Sequence, residues 1–183
     1  VATPAFAQEV RVKDLVTVRG VRNNSLMGVG LVMGLGKTGD SAKSITTNKA
    51  TATLLTRMGL KVTDQELSGG NAALVMVTGE LPAFARNGDK IDVRVSTIGD
   101  AKSLAGGILM NTALKATDGQ VYGLAQGPVV LGQASGVGVS VQTVAVVPKG
   151  MNVEREFMPS FDKEGIITLS LKNPDFTTNR RLV

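Results

Sequence analysis

The chain of 183 residues contains no cysteine and no histidine. These two absences exclude a thiolate nucleophile, a Ser-His-Asp triad, a Cys/His zinc site and a haem-ligating histidine. Acid–base chemistry would then depend on carboxylates, lysines or the single tyrosine, Tyr122. The carboxylates are scattered, and no spacing pairs two of them in an apolar setting, so most are expected at the solvated surface. The sequence therefore predicts that the protein is not an enzyme and holds no cofactor and no metal.

Aromatic and charged residues are also few. There are five Phe, one Tyr and no Trp, and charged residues make up 19% of a chain that has 22 glycines and is 43% hydrophobic. A core of Val, Leu, Ile, Ala and Met, with glycines at turns and bulges, is typical of sheet-rich proteins. The expected fold class is α+β, predominantly β, with mixed or antiparallel sheets and one main helix near residues 44–58.

The net charge is +5, from 20 basic and 15 acidic residues, and it is interpreted as distributed along the chain. The longest basic run is Arg180-Arg181, and no aromatic residues alternate with basic ones for base stacking. We therefore expect no nucleic-acid partner, whereas an anionic polymer or an acidic protein surface is compatible with the charge. No segment approaches the ~20 apolar residues of a transmembrane segment.

Residues 1–7 end in a pattern of small side chains that is typical of an export signal. Ala5-Phe6-Ala7 has the A-x-A pattern that signal peptidase recognises, which predicts cleavage between Ala7 and Gln8. The alternative is an ordinary alanine-rich terminus. The expected domain organisation is a signal-peptide remnant at 1–7, a main β-rich domain with one helix at 8–149, and the start of a second, truncated domain at 151–183.

The segment 28–40 is similar to a nucleotide-binding loop but has the wrong spacing. Gly36, Lys37 and Thr38 match the end of a P-loop, yet the position of its first glycine is occupied by Leu31. We favour an apolar strand, buried on both faces, in which glycines allow close backbone approach before a tight turn. Nucleotide hydrolysis that uses Lys37 and Thr38 is the alternative interpretation.

Hydrophobic periodicity gives a coarse order of elements. A helix is predicted from a Ser44 cap to a Gly59 stop. A boundary is predicted at Pro148-Gly150, and a further helix is predicted to begin at Thr177 or Thr178. Strands are predicted at 10–18, 26–35, 72–78, 91–97, 108–114, 121–126, 129–131, 139–147, 153–157 and 165–171.

A set of short motifs follows the same order as in one known family. The motifs are Val12-Lys-Asp-Leu15, Leu26-Met-Gly-Val-Gly-Leu-Val-Met-Gly-Leu35, Pro82-Ala-Phe-Ala-Arg86, Gly99-Asp-Ala-Lys-Ser-Leu-Ala-Gly-Gly107, Val121-Tyr-Gly-Leu-Ala-Gln-Gly127 and Asn173-Pro-Asp-Phe-Thr177. Through them the chain resembles the flagellar P-ring proteins of Gram-negative bacteria, from Gln8 to its end. It departs from the family in length, since members are about twice as long, and at residues 67–71, which are richer in glycine and poorer in charge.

The resemblance implies a structural subunit of the flagellar basal body that is exported to the periplasm. There it would form a homo-oligomeric P ring in the peptidoglycan layer, a bushing around the rotating rod. The implied partners are further copies of the chain, flagellar rod proteins, the L-ring lipoprotein and peptidoglycan. The alternative is a periplasmic peptidoglycan-binding module that forms no ring.

A bushing needs an inner surface that does not adhere to the shaft. Charged, hydrated side chains resist adhesion, and repulsion between like charges helps to centre the shaft. Lys102, in the loop from Gly99 to Gly107, is the leading candidate for a rod-facing charge, followed by Arg86 and Lys90. The alternative for each of the three is an ordinary solvated side chain.

Overall fold

The computed structural model describes residues 11–61, 69–132, 141–157, 162–163 and 166–173. These residues divide into two compact units, one formed by Asn23–Phe157 and the other by residues from before and after it. The elements, in chain order, are α1 (Val12–Leu15), β1 (Val16–Val18), β2 (Asn24–Met33), α2 (Ile45–Arg57), β3 (Ala72–Leu81), β4 (Lys90–Thr97), β5 (Ile108–Lys115), β6 (Val121–Pro128), β7 (Val130–Leu131), β8 (Val144–Val153), β9 (Asp162–Lys163), β10 (Ile166–Ile167) and β11 (Leu169–Leu171). The predicted fold class, mainly β with one main helix, is confirmed.

Six strands of the larger unit close into an antiparallel barrel. The order is β4-β3-β2-β5-β6-β8, and β8 returns to pair with β4, while the short β7 pairs with β8. Alternate residues of these strands point inward and fill the interior, which makes the barrel a packed core. The largest fully buried side chains are Leu26, Val32, Val75, Val77, Leu81, Val93, Val95, Leu104, Leu109, Leu114, Val147 and Met151.

The two glycines of β2 lie where this strand approaches β5 most closely. The β2–β5 register is irregular between the pairs Met27↔Lys115 and Val32↔Leu109. A Cβ atom on Gly28 would overlap the carbonyl oxygen of Ala113, and a Cβ atom on Gly30 would overlap the Thr112 hydroxyl. The prediction that these glycines allow close backbone approach is confirmed.

The prediction that β2 is buried on both faces is wrong for its first half. Leu31 and Val32 are buried, but Met27 is 53% and Val29 58% exposed on the outer face of the barrel. The reason is the position of α2, which packs beside Met33 at the end of the strand and leaves the earlier residues uncovered.

Helix α2 begins and ends as predicted, and the side chains that it buries are small. Gly59, at φ 91°, follows the helix and ends it. Ser44 occupies the N-cap position without a capping hydrogen bond, and its Oγ lies 2.9 Å from the Thr47 Oγ1 instead. The residues that the helix buries fully are Thr47, Thr51 and Ala52.

Five further predictions need correction or lie outside the described residues. The strand expected at 10–18 is the short helix α1 followed by β1. The boundary expected at Pro148-Gly150 lies inside β8, where the Lys149 N–H donates to Asp92 Oδ1 at 2.6 Å beside a register shift. Val153 ends β8, so residues 154–157 form no strand. The cleavage site at Ala7 and Gln8 and the helix start at 177–178 lie outside the described residues.

In the smaller unit, β1 pairs antiparallel with β11 through Val16↔Leu171 and Val18↔Leu169. Strands β9 and β10 form a second pair, with Ile167 opposite Asp162. The strand predicted at 165–171 corresponds to β10 and β11. The domain division into 1–7, 8–149 and 151–183 stays a prediction. Neither helix in the described part of the chain is long and apolar enough to cross a membrane.

A tyrosine–aspartate pair closes the turn between β5 and β6. The Tyr122 hydroxyl donates to Asp118 Oδ2 at 2.8 Å, and the Gln120 N–H donates to Asp118 Oδ1 at 2.9 Å. Phe157 packs edge-on against Tyr122, with 6.2 Å between ring centroids. The hydrogen bond from the Gln120 N–H and, to a smaller extent, the one from the Tyr122 hydroxyl lower the pKa of Asp118 below its ordinary value of 3.8.

A lowered pKa in the folded state predicts a pH-dependent contribution to stability. The contribution is present above the pKa that Asp118 has in the unfolded chain, and it is lost as the pH falls through the lowered, folded value. We expect Tyr122→Phe to flatten the decline in the free energy of unfolding between about pH 5 and pH 2. Urea denaturation across this pH series measures the slope, with Asp118→Asn as the variant that lacks the titration. An unchanged slope in Tyr122→Phe would contradict the assignment.

Candidate functional site

Three segments meet where β2 and β4 end, and we call this region the loop end of the barrel: residues 34–44, 69–71 and 98–107. The Gly39 and Asp40 N–H groups donate to the carbonyl oxygens of Gly70 and Ala72, both at 2.8 Å, and the Gly70 N–H donates back to Asp40 at 2.7 Å. Leu104, from the third segment, is fully buried in the core cluster. The segments of the loop end are therefore hydrogen-bonded to one another and close this end of the barrel.

Asp40 holds the loop end together. Its side chain is buried, with 1% exposure, and its Oδ2 accepts hydrogen bonds from the Thr47 hydroxyl at 2.6 Å and the Leu74 N–H at 2.8 Å. Its Oδ1 accepts a hydrogen bond from the Ala101 N–H at 2.9 Å. Gly99 leaves room for this carboxylate, since a Cβ there would lie 2.6 Å from the Asp40 Cγ. One side chain thus connects α2, β3 and the segment 98–107.

The donors of the glycine-rich segment bond to the chain itself. The N–H groups of Gly34 and Leu35 donate to the Asn71 carbonyl oxygen, and the Thr38 N–H donates to that of Leu35. The Lys37 N–H donates to the Asn71 side chain at 3.3 Å. A phosphate-binding loop needs these donors free to surround the phosphate. The geometry therefore argues against the nucleotide-hydrolysis interpretation.

Lys102 lies beside Lys37 at the loop end. The Lys102 N–H donates to the Thr38 carbonyl oxygen at 2.8 Å, so the two lysines are carried by backbone segments in contact. Both line a shallow cleft of about 400 Å³. Among the described residues, Arg11–Asp14 is the one ion pair within 4.0 Å, so neither lysine is neutralised by a carboxylate in that part of the chain.

The same cleft contains one negative charge. The Asp100 carboxylate accepts hydrogen bonds from the Ser41 hydroxyl and N–H, the latter at 2.9 Å, and these bonds lower the pKa of Asp100 below 3.8. The carboxylate is consequently ionised at neutral pH and holds Ser41 against the segment that carries Lys102. With two lysines and one aspartate, the cleft is net positive.

The other two candidate charges lie at the opposite end of the barrel. Arg86 belongs to the β3–β4 loop, where its N–H donates to Asp89 Oδ2 at 2.8 Å. Lys90 begins β4, an eight-residue strand, and Lys102 follows the end of that strand, which places about 26 Å between the two ends. The structure thus groups Lys102 with Lys37 and separates it from Arg86 and Lys90. The rod-facing role of all three stays a prediction.

Sequence reasoning missed the concentration of positive charge on α2. Residues 41–61 contain four basic residues and no acidic one, and all four are exposed: Lys43, Lys49, Arg57 and Lys61. The charge had been interpreted as distributed because no two of these residues are adjacent. A count of acidic residues over the same window would have identified the segment.

In the described residues, no group of three or more Asp, Glu, His or Cys side chains could hold a metal ion.

A comparison with protein families decides which family the chain belongs to. The family model described as flagellar P-ring protein (FlgI) matches residues 11–183. The chain belongs to the flagellar P-ring protein family. Members of this family are structural proteins of the flagellar basal body and not enzymes. This confirms the expectation of a structural role and the expectation that the protein is not an enzyme.

Curated relatives agree with this assignment. A flagellar P-ring protein 2 from Cereibacter sphaeroides is 45% identical over 99% of this chain and 52% of its own length. The flagellar P-ring proteins of Caulobacter vibrioides and Nitratidesulfovibrio vulgaris are 45% and 43% identical, over 100% and 99% of this chain and 51% of their own length. The chain spans about half the length of the curated relatives that it matches.

Proposed function

We propose that the chain is part of a P-ring subunit that oligomerises in the periplasm, within the peptidoglycan layer, and acts as a bushing around the rotating rod. The proposal rests on the family assignment together with the rigid loop end of the barrel. The proposed partners are further copies of the chain, flagellar rod proteins, the L-ring lipoprotein and peptidoglycan.

A closed barrel suits a subunit of a ring with a fixed number of copies. Open sheet edges invite strand addition without a defined end, whereas barrel closure leaves only the short β7 at an edge in the described sheet. Neighbouring copies must then meet through side-chain surfaces, whose shape fixes the angle between them. A contact between two different surfaces closes into a ring when the rotation between copies completes a full turn, and otherwise gives an open filament.

The loop end is the surface that we propose faces the rod. Lys37 and Lys102 are exposed there, without a carboxylate within 4.0 Å in the described part of the chain. Their backbone is held by the hydrogen bonds of Thr38, while Asp40 fixes the neighbouring Ala101. Hydrated charges on a rigid base give a surface that resists both adhesion and deformation. Arg86 and Lys90 remain weaker candidates for the same role at the other end.

Reversal of the charge at Lys102 tests this role. We expect Lys102→Glu to fold normally, because its side chain is exposed, but to reduce motility and the yield of basal bodies that carry a P ring by several-fold. Swimming in soft agar and electron microscopy of isolated basal bodies measure the two quantities, with Lys13→Glu, at an exposed lysine of α1, as the matched control. Normal motility and normal ring yield in Lys102→Glu would exclude Lys102 from the rod-facing surface.

Imaging separates the ring subunit from the glycan-binding module considered above. Electron microscopy of the full-length protein, expressed with the rod proteins, should show closed rings or arcs. Monodisperse monomers that bind isolated peptidoglycan would instead support the module and contradict the bushing.

A further inference from the structure

Helix α2 presents an outer surface that is both apolar and basic. Ile45, the first residue of α2, is 67% exposed, and Met58 and Leu60, which follow its last residue, are 66% and 56% exposed. Residues 41–61 also contain four exposed basic residues and no acidic residue. A surface helix usually turns its bulky apolar residues to the core. This helix buries Thr47, Thr51 and Ala52 and half-buries Leu54 and Leu55, so the apolar area left for a partner lies at its two ends, where basic residues also occur.

The outer face of the barrel carries a second apolar surface, which we call the β2–β4 groove. It has a volume of about 550 Å³ and is lined by residues that include Met27, Thr78, Ile91 and Val146. The strand registers place Met27 beside Thr78, Thr78 beside Arg94, and Arg94 beside Val146. A parallel row beside the groove runs through Val29, Met76, Ser96 and Val144. The apolar area therefore continues across four strands.

The charges in the β2–β4 groove are opposite in balance to those of α2. Glu80, Asp92 and Arg94 line it and give it a net charge of −1. The exposed Glu80 carboxylate lies within 4.0 Å of no basic nitrogen among the described residues. Asp92, at the groove, accepts a hydrogen bond from the Lys149 N–H. An apolar groove with an unpaired carboxylate fits an apolar helix with basic residues.

We propose that α2 of one copy of this chain docks in the β2–β4 groove of the next copy. The inference rests on the proposed ring function and names the two surfaces that meet. Because the surfaces differ, the contact is heterologous, which is the kind that a ring requires. On each copy α2 lies beside Met33 and the groove lies near Met27, so both surfaces are available at once.

The dimensions of the two surfaces match. Helix α2 has 13 residues, which corresponds to a length of about 20 Å. Four strands at about 4.8 Å spacing present a face about 15 Å wide, and the strands extend further along their own direction.

Charge reversal on each surface in turn tests the contact. Lys43→Glu/Lys49→Glu reverses α2 near its N-terminus, where acidic residues favour the helix. Glu80→Lys reverses the groove. We expect each variant to raise the dissociation constant for self-association at least about tenfold at low salt. Sedimentation velocity of the full-length protein measures the constant. Lys13→Glu/Arg22→Glu, in the smaller unit, is the control with the same change in net charge as the α2 variant.

A mixture of the α2 variant and the groove variant is the decisive experiment. A reversed α2 meets a reversed groove and an unchanged α2 meets an unchanged groove, so a 1:1 mixture should recover association to within about threefold of the wild type. The chain has no cysteine, so Lys49→Cys and Thr78→Cys copies should also form a disulfide-linked heterodimer on mixing. Neither copy alone should form a dimer to the same extent.

The outcomes distinguish failure of this inference from failure of the proposed function. If the wild type associates but neither reversal weakens it, or the mixture does not recover, the α2–groove contact is wrong while the ring remains. If the wild-type full-length protein stays monomeric in every arm, the ring function itself fails. Binding of the α2 surface to peptidoglycan, with unchanged self-association in the α2 variant, would assign that surface to the cell wall and overturn the inference.

Discussion

Replacement of Asp40 by alanine is expected to lower the free energy of unfolding by about 3–5 kcal/mol. The carboxylate is buried and accepts hydrogen bonds from Thr47, Leu74 and Ala101. Alanine leaves the Leu74 and Ala101 N–H groups without their acceptor, and each buried donor without a partner costs about 1–3 kcal/mol. The Thr47 hydroxyl keeps a partner in Ser44 and contributes less. Urea denaturation measures the change.

Two further variants show whether the loss comes from these particular hydrogen bonds. Asp40→Asn keeps the shape but turns an N–H₂ group toward one of the donors, so it should lie between the wild type and alanine. Asp100→Ala removes an exposed carboxylate that binds Ser41 at the same loop end, and it should lower the urea midpoint much less than Asp40→Ala. Equal midpoints for Asp40→Ala and Asp100→Ala would show that Asp40 does not hold the loop end.

The Asp40 prediction also has a local measurement. If the carboxylate fixes the segment 98–107, amide hydrogen exchange at Ala101 should accelerate in Asp40→Asn more than exchange at Val95, inside β4. The Lys102 N–H should accelerate as well, because Thr38, its acceptor, lies two residues from Asp40. This result would connect the buried carboxylate to the position of the lysine that we propose faces the rod.

Local patterns in the sequence were sufficient to predict most strands of the barrel but not their closure. The alternation of Ile91, Val93 and Val95 predicts β4 with its inner face, and the structure buries Val93 and Val95 fully. The barrel depends on the pairing of β4 with β8, in which Val93 lies opposite Val147. No local pattern specifies a partner more than fifty residues away, since a strand with one apolar face can pair in several arrangements.

The candidate site was likewise predicted only in part from the sequence. Lys102 was proposed from the family resemblance, and the structure adds Lys37 as its neighbour through the contact between Thr38 and Lys102. Asp40 was not identified, because its partners Leu74 and Ala101 are 34 and 61 residues away. In helix α2, threonine hydroxyls that bond within the helix, such as that of Thr51 to the Thr47 carbonyl oxygen, let small polar residues face the barrel, which the sequence analysis did not predict.

The second large effect is expected at the β2–β5 seam, where Gly28→Ala should lower the free energy of unfolding by at least about 3 kcal/mol. A Cβ there would overlap the Ala113 carbonyl oxygen and lie 2.9 Å from the Leu114 Cδ2. A backbone oxygen cannot rotate away as a side chain can, so β5 must separate from β2 and the barrel must open at this seam. Thermal or urea unfolding measures the loss.

Two nearby substitutions show whether the loss of stability comes from this clash or from any change in the strand and its turn. Val29→Ala, at a side chain that is 58% exposed, should change the free energy of unfolding by no more than about 0.5 kcal/mol. Gly34→Ala introduces the same methyl group where nothing lies within 4 Å, but at φ 86°, so only backbone strain of about 1–2 kcal/mol should result. If Gly28→Ala is no more destabilising than Gly34→Ala, the two strands are not in the close contact that makes the Gly28-Val29-Gly30 motif necessary. The glycines that imitate a nucleotide-binding loop would then need another explanation than closure of the barrel.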